Sequence, residues 1–231
     1  MTGKARSART EAYEALRAKI LTLELRPGQR LSDVQLAHDL AMSRTPIREA
    51  LFSLSHENLI VLTERGGFSV KNLDLDETQA AFEALHLISR AVARKMALQA
   101  DPEKIATLRD YAQQVEVAMI AADPAQVAQA NADFHIAEAQ LAGNQFFADT
   151  IRTLQTLLQR LAFVSFGGSD GPSHSLADHY ALAHEHHEEL LQFYLAGEVE
   201  SAEKLAAQHV ELFQRRVEDY FARNDTKLMS I

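Results

Sequence analysis

The stretch LAMSRTPIREAL, residues 40–51, carries most of the information about the fold of this chain. It is typical of a helix start, because Ser43 or Thr45 can act as N-cap and Pro46 is tolerated in a first turn, where backbone N–H groups have no partner inside the helix. The apolar residues around it recur at helical spacing and form one stripe: Ile47, Ala50, Leu51 and Leu54. The stretch therefore predicts an amphipathic helix with one buried face.

Two arginines stand outside that apolar stripe. Arg44 and Arg48 are four residues apart, so they project together from the N-terminal end of the helix. A short helix that buries one side and offers Arg, Ser and Thr at its start suits the major groove of DNA. Taken alone, these residues fit a surface helix with two solvated arginines equally well.

The segments on either side favour the DNA-binding interpretation. Helical periodicity extends over residues 10–25, and a second, shorter amphipathic helix begins after Ser32. Two β-rich runs, 59–63 and 67–70, are joined by residues typical of a hairpin turn. Three helices followed by a hairpin predict a winged helix-turn-helix.

The tip of the predicted wing carries Arg65 beside Gly66 and Gly67. The glycines are small enough to let the backbone approach a phosphate group or the minor groove, and the arginine suits either partner. The sequence therefore predicts a second contact with DNA.

Residues 12–72 resemble the DNA-binding domain of the GntR family of bacterial transcription regulators. The matching pieces are RPGQRL at 26–31, LA at 36–37, SRTPIREAL at 43–51, Leu54 and GGFSV at 66–70. In that family the arginines matching Arg44 and Arg48, with the threonine between them, contact bases and phosphates, and the wing reaches the minor groove. Some FadR-like members use a further arginine where Val34 stands, so that contact is not expected here. The resemblance implies a DNA-binding set of Ser43, Arg44, Thr45, Pro46, Arg48, Arg65, Gly66 and Gly67.

The charge of the chain is unevenly distributed. Its 23 basic and 32 acidic residues would, as a total, argue against a nucleic-acid binder. Residues 1–71 contain 11 Lys+Arg and 8 Asp+Glu, a net charge of +3, so the remainder contains 12 and 24, a net charge of −12. A basic module joined to an acidic one is expected to present its N-terminal face to DNA.

The sequence shows no sign of export or of a membrane segment. It has no cysteine, residues 1–10 are polar and basic with no apolar segment after them, and no apolar run is long enough to cross a bilayer. We expect a soluble cytoplasmic protein without a membrane partner.

From residue 74 onward the sequence pattern is helical. The Asp-Pro pairs at 101–102 and 123–124 are typical of an N-cap followed by proline at the first helical position, and Gly143 and Gly197 of helix ends. Six helices are predicted, with an irregular loop at 166–173: 76–100, 102–121, 124–142, 145–165, 175–196 and 198–222. The predicted fold is mainly α, an N-terminal winged helix-turn-helix with a small β-hairpin wing and a C-terminal all-helical bundle. The predicted divisions are a DNA-binding domain at 1–71, a linker at 72–76, the helical domain at 77–222 and a C-terminal tail at 223–231.

Three of the histidines are expected to meet inside the helical domain. Asn131 and His135 are four residues apart on one helix face, while His187 lies ten residues before Gly197 and His209 twelve after it. In two antiparallel helices that turn at Gly197, a rise of ~1.5 Å per residue places those histidines about 15 Å and about 18 Å from the turn. Three imidazoles with one oxygen ligand predict a divalent-metal site, with Zn²⁺ or Ni²⁺ preferred. The alternative is a polar interior network satisfied by water or by a ligand.

Residues 74–222 resemble the all-helical ligand-binding domain of FadR-like GntR regulators, known as FCD. The resemblance rests on NADFH at 131–135, AGN at 142–144, and the two later histidines placed around AGE at 196–198. Many members bind a divalent metal through an aspartate, a histidine four residues later and two further histidines. The three histidines of this chain match that pattern.

Asn131 stands where the family has its aspartate. An amide oxygen can coordinate a metal but brings no charge, so weaker metal binding is expected. Asp133 would replace it only in a different helix register, because positions i and i+2 point to different faces.

The resemblance also implies an effector site in this domain. Family members commonly have an arginine and then a glutamate where Leu85 and Ser89 stand, so the usual carboxylate pocket is not carried over. The remaining candidate anion partners are His86, Arg90, Arg152 and Arg160.

Together these features predict a one-component transcription regulator. A winged helix-turn-helix reads an operator, and the helical domain binds a small metabolite, an organic acid in contact with a bound metal. Helix-turn-helix proteins commonly bind palindromic operators, which implies a homodimer on two half-sites of double-stranded DNA. One alternative makes the metal itself the signal. Another is a metal-dependent hydrolase, against which stands the absence of a nucleophile–base constellation.

Overall fold

The computed structural model describes residues 7–64, 66–167 and 176–228. The chain divides into two compact units, with the boundary between Asp74 and Leu75. In the described ranges the first unit contains α1 (Ala8–Leu21), β1 (Arg30–Leu31), α2 (Asp33–Asp39), α3 (Arg44–His56), β2 (Ile60–Leu62) and β3 (Phe68–Val70). The second contains α4 (Leu75–Gln99), α5 (Pro102–Ala121), α6 (Pro124–Leu141), α7 (Gln145–Gly167), α8 (Leu176–Ala196) and α9 (Val199–Leu228). The predicted mainly α class is confirmed.

The first unit is a winged helix-turn-helix built on the amphipathic α3. Its predicted stripe is fully buried and packs against α1 and its neighbours: Ile47, Ala50, Leu51 and Leu54. Ser43 is the N-cap of α3, although its side chain makes no capping hydrogen bond. Ser32 caps α2 by accepting a hydrogen bond from the backbone N–H of Gln35. Burial of the stripe fixes which face of α3 remains exposed.

The wing contains one strand more than the predicted hairpin. The antiparallel sheet has the order β1-β3-β2, with Arg30 opposite Ser69 and Ile60 opposite Val70. A strand of two residues is too short to show the alternation that identifies strands in a sequence. The first helix also ends earlier than predicted, at Leu21, because Leu23 adopts a left-handed backbone conformation with φ 58°.

The second unit is a helical bundle whose six described helices follow the predicted order. Asp101 and Asp123 cap α5 and α6 by accepting backbone N–H bonds, each followed by proline, as predicted. Gly143 and Gly197 adopt positive φ after the ends of α6 and α8, which is the conformation that favours glycine at such positions. α6 packs against α5 and α7, while α9 packs against α4, α7 and α8.

Two helices extend further than the sequence indicated. α7 continues to Gly167, two residues into the predicted loop, and the rest of that loop lies outside the described residues. α9 runs to Leu228 rather than ending at 222, because neither glycine nor proline follows to stop it. Among the described residues, no helix has both the length and the apolar character needed to cross a bilayer.

Candidate DNA-binding surface and histidine centre

Two arginines of α3 converge on one carboxylate of α2. Arg44 Nη2 donates to Asp33 Oδ2 across 3.0 Å, and Arg48 Nη1 donates to the same oxygen across 2.9 Å. Hydrogen bonds from Arg48 and Arg44 lower the pKa of Asp33 from its ordinary value. Both arginine side chains remain about half exposed, at 60% and 45%, so they can still reach a partner in solution.

Two aromatic rings, one from α3 and one from the wing, lie beside the guanidinium of Arg48. Its guanidinium carbon lies 6.0 Å from the ring centre of Phe52 and 5.8 Å from that of Phe68. The two rings pack edge to face, with centres 5.2 Å apart. The arginine is therefore held between a carboxylate and two rings, contacts that favour one orientation of the guanidinium.

The other predicted DNA-binding residues lie at the start of α3 and in the wing. Ser43 and Thr45 are exposed and Pro46 is partly buried at the first turn. In the wing turn, Gly66 has φ +75° and its N–H donates to the Thr63 carbonyl. Gly67 donates to the hydroxyl oxygen of Thr63, and a Cβ at Gly67 would lie 3.1 Å from that oxygen. Arg65 lies outside the described residues, and the DNA contacts themselves stay predictions.

The second unit brings together the three histidines that the helix geometry singled out. His135 comes from α6, His187 from α8 and His209 from α9, and one ring nitrogen of each lies within 4.8 Å of the others. The Nε2 atoms of His135 and His209 are 3.2 Å apart. The cluster is interior: His187 is 1% and His209 7% exposed, and the side chain of His135 is 12% exposed.

Burial controls the protonation of this cluster. Desolvation, and then the charge of neighbouring imidazoles, lowers the pKa of His187 and His209 well below 6.5. Both rings are therefore neutral near pH 7 and offer a lone pair. His187 Nε2 and His209 Nδ1 have no hydrogen-bond partner among the described residues. An unpaired buried polar atom costs about 1–3 kcal/mol, which favours an additional binding partner at this position.

The donor set fits a divalent metal. Two nitrogens bound at ~2.0–2.1 Å to one tetrahedral ion stand about 3.3 Å apart, close to the His135–His209 separation. Asn131, one turn before His135, lines a cavity of about 20 Å³ together with His209 and His179, whereas His135 and His187 are not among its described lining residues. A cavity needs roughly 10–15 Å³ to hold a single water, so this one has room for an ion or a water. Asp133 accepts a hydrogen bond from Gln129 and is not among the described residues that line this cavity.

Two residues of this centre were missed by sequence reasoning. Glu138 Oε2 lies 3.3 Å from His135 Nδ1, and the hydroxyl of Tyr194 donates to Glu138 Oε1. Both side chains are buried, at 5% and 0% exposure. The spacing of Glu138 three residues after His135 was a usable signal, whereas Tyr194 lies 56 residues further along the chain.

The four candidate anion partners do not gather at this cavity. His86 Nε2 is 3.1 Å from Gln214 Oε1, Arg90 pairs with Glu203 and Arg152 pairs with Asp149. Arg160 is fully buried, and burial lowers its pKa to about 10. None of the four is among the described residues that line the cavity. Their role as effector contacts stays a prediction.

Two family models match the chain, one in each unit. The model described as "Bacterial regulatory proteins, gntR family" matches residues 8–70, and the model described as "FCD domain" matches residues 80–212. The first range contains Asp33, Arg44 and Arg48, and the second contains all three clustered histidines.

Curated relatives and a solved structure agree with these models. The chain is 28% identical over 144 residues to the Nta operon transcriptional regulator of Aminobacter aminovorans, covering 62% of this chain and 66% of that protein. It is 25% identical over 169 residues to the HTH-type transcriptional repressor RspR of Escherichia coli K12, covering 73% and 74%. The structure of E. coli McbR/YncC superposes with a TM-score of 0.76 at 18% identity, covering 94% of this chain and 99% of that one, a likeness of fold.

Proposed function

The chain belongs to the GntR family of bacterial regulatory proteins and carries an FCD domain, and from this premise we propose that a divalent metal in its helical domain anchors a small carboxylate that controls operator binding. The chain is a DNA-binding transcription regulator and not an enzyme. The resemblance found in the sequence is thereby confirmed, and the hydrolase alternative is excluded. The cytoplasm, where bacterial DNA lies, is its proposed location.

The observation that carries the metal proposal is the convergence of three buried imidazoles. They come from three different helices, yet one ring nitrogen of each lies within 4.8 Å of the others. His187 also has a buried nitrogen, Nε2, without a described partner. A polar network that served packing alone would be expected to pair that atom internally.

Zn²⁺ or Ni²⁺ is the proposed ion, since both suit imidazole ligands. His135, His187 and His209 would hold it, with the side-chain oxygen of Asn131 as a fourth ligand. When bound, the ion supplies a positive charge that a carboxylate can contact. Because Asn131 is neutral, we expect the ion to be held less tightly than at a site with aspartate in this place.

The size of the cavity restricts how an effector enters. Pockets that enclose small organic ligands typically measure roughly 300–1,000 Å³, whereas the cavity beside His209 measures about 20 Å³. An organic acid that enters this cavity to contact the ion therefore requires the surrounding helices to move apart. Such a movement would give effector and operator a reciprocal effect on each other's affinity. His86, Arg90, Arg152 and Arg160 remain candidate contacts for the opened state.

We propose that the regulator acts as a homodimer on a palindromic operator. Helix-turn-helix proteins commonly read two half-sites with two-fold symmetry, one recognition helix in each major groove. Arg44 and Arg48 of each copy would face the duplex, with the wing turn in the adjacent minor groove.

The small cavity also supports a second candidate, in which the metal is itself the signal. A space of about 20 Å³ has room for an ion but not for an organic acid, so metal occupancy alone could set the DNA affinity. Metabolite sensing and metal sensing predict different changes in DNA affinity when metal and carboxylates are added.

A thermal-shift screen separates these proposals. Untagged protein stripped of metal is heated with Zn²⁺ or Ni²⁺, alone and with a panel of small carboxylates and sugar acids. Ligand binding to the folded state raises the midpoint, and we expect a carboxylate of the panel to raise it only when metal is present. Duplexes selected in vitro by the same protein then report DNA affinity. A change in affinity with metal alone, unaffected by any carboxylate, would favour metal sensing, and no shift with metal would contradict both.

A further inference from the structure

Glu138 is a buried acid without an assigned role. It is the only aspartate or glutamate among the buried polar side chains of the described residues. An isolated buried carboxylate is costly, so it is retained where hydrogen bonds or a positive charge compensate for the lost water. The surroundings of Glu138 provide hydrogen bonds, and they place its carboxylate next to a ligand of the proposed metal ion.

Both carboxylate oxygens of Glu138 are used. Oε1 accepts a hydrogen bond from the hydroxyl of Tyr194, which is itself fully buried. Oε2 lies 3.3 Å from Nδ1 of His135. An ionised carboxylate only accepts hydrogen bonds, so this contact places the proton of His135 on Nδ1.

The position of that proton decides what His135 can bind. With Nδ1 protonated, the lone pair of the ring is on Nε2, which is the atom 3.2 Å from His209 Nε2. In the metal-free protein His209 then donates from Nε2, which leaves its Nδ1 as the atom without a partner. A carboxylate behind a ligating histidine fixes its tautomer and raises its basicity.

Glu138 also supplies negative charge where Asn131 supplies none. Three neutral imidazoles and an amide give an uncharged set of ligands around a doubly charged ion. A buried carboxylate one ring away lowers the energy of a cation there, because the charges interact through a medium of low dielectric constant.

We propose that Glu138, held in place by Tyr194, is a positioning residue that fixes His135 as the Nδ1–H tautomer and supplies the negative charge that the neutral Asn131 lacks. This inference rests on the metal site of the proposed function. It distinguishes Glu138 from a buried acid that serves packing alone, which would affect stability but not metal affinity.

The test compares Glu138→Gln, the double variant Asn131→Asp/Glu138→Gln, and Glu116→Gln as a control with the same change of charge at an exposed position of α5. Zn²⁺ affinity is measured on untagged, metal-stripped protein by competition with a chromogenic chelator. Removing a partner behind a metal ligand typically weakens metal binding by about 10–100-fold, and we expect that loss for Glu138→Gln. The double variant should recover at least half of the loss on a logarithmic scale, and the control should bind like wild type.

A second readout addresses the tautomer. Long-range ¹H–¹⁵N spectra of the histidine rings in metal-free wild type should show the proton of His135 on Nδ1. A proton on Nε2, or wild-type Zn²⁺ affinity in Glu138→Gln, would overturn the inference while leaving the metal site intact. Failure of the wild type to bind any metal would contradict the proposed metal site, and the inference with it.

Discussion

Arg48 donates a hydrogen bond to Asp33 across 2.9 Å, although the two residues stand on different helices and 15 positions apart. An arginine ordered before DNA arrives has less conformational freedom to lose on binding, and the rotamer freedom of a long side chain is worth up to about 2 kcal/mol. Asp33 also brings a negative charge to a surface proposed to face phosphates. Its presence therefore favours selective binding over indiscriminate binding.

Replacing Asp33 by alanine should weaken discrimination between DNA sequences. We expect Asp33→Ala to bind random-sequence duplex more tightly, because a negative charge is gone, and to lose about tenfold in its preference for a selected operator, or ~1.4 kcal/mol. Fluorescence anisotropy with operator and scrambled duplexes at moderate salt measures this ratio. Asp39→Ala removes an exposed acid from the same helix and is the control. If Asp33→Ala and Asp39→Ala change the ratio of operator to scrambled-duplex affinity equally, the effect comes from the lost charge and not from the ordering of Arg48.

The two arginines should differ in what they contribute. Arg44→Ala should cost about 1–3 kcal/mol and relax the choice of base at one operator position, as expected for an arginine that reads guanine. Arg48→Ala should weaken binding to every duplex and lower the salt slope by about 1, as expected for a phosphate contact. Arg109→Ala, which breaks a surface ion pair of α5, is the control. Wild-type operator affinity in both α3 variants would refute the recognition helix.

His179 should make the metal-free protein less stable in acid. Burial lowers its pKa to about 3, helped by the charges of Arg216 and His186, whereas the unfolded chain binds this proton near pH 6.5. Between those values the unfolded state binds one proton more, so the free energy of unfolding falls by about 1.4 kcal/mol for each unit that the pH drops. His187 and His209 act in the same direction.

Urea unfolding at several pH values between 6 and 4 isolates the part due to His179. His179→Gln and His179→Leu should both reduce the slope of stability against pH by about one proton, although they pack differently. An unchanged slope in both variants would contradict a neutral His179 in the folded protein.

The sequence predicted those parts of the site that depend on regular helix geometry. His187 and His209 meet because both lie at similar distances from the turn at Gly197, and the rise of a helix is constant. The starts of α5 and α6 were predictable because the N-cap residues Asp101 and Asp123 are each followed directly by a proline in the chain. These signals are local, and the structure follows them closely.

The parts that escaped prediction depend on tertiary packing. Asp33 meets Arg44 and Arg48 only because α2 packs against α3. Tyr194 reaches Glu138 only because side chains of α8 and α6 meet in the interior of the bundle. No spacing in the chain encodes either pair. β1 was missed for a related reason, since Arg30 and Leu31 form a strand only through pairing with Phe68 and Ser69.

Restoring a charge at position 131 should strengthen the metal site. We expect Asn131→Asp to bind Zn²⁺ at least tenfold more tightly than wild type, because the ligand is then anionic and the cavity is unchanged in size. His187→Ala should bind at least a hundredfold more weakly, since it removes one of three imidazoles. Competition titrations with a chelator measure both. Equal affinity of wild type and Asn131→Asp would show that the oxygen of residue 131 does not reach the ion.

The most direct test of the proposed metal site is the metal content of untagged wild type and Asn131→Asp. Both proteins are stripped of metal, incubated with Zn²⁺ or Ni²⁺, and dialysed to remove free ion. Elemental analysis should find close to one ion per chain in Asn131→Asp, partial to full occupancy in wild type, and none in His187→Ala. If wild type and Asn131→Asp both come out free of metal, the three histidines do not form a metal site. They would then line a polar cavity for an effector bound without metal.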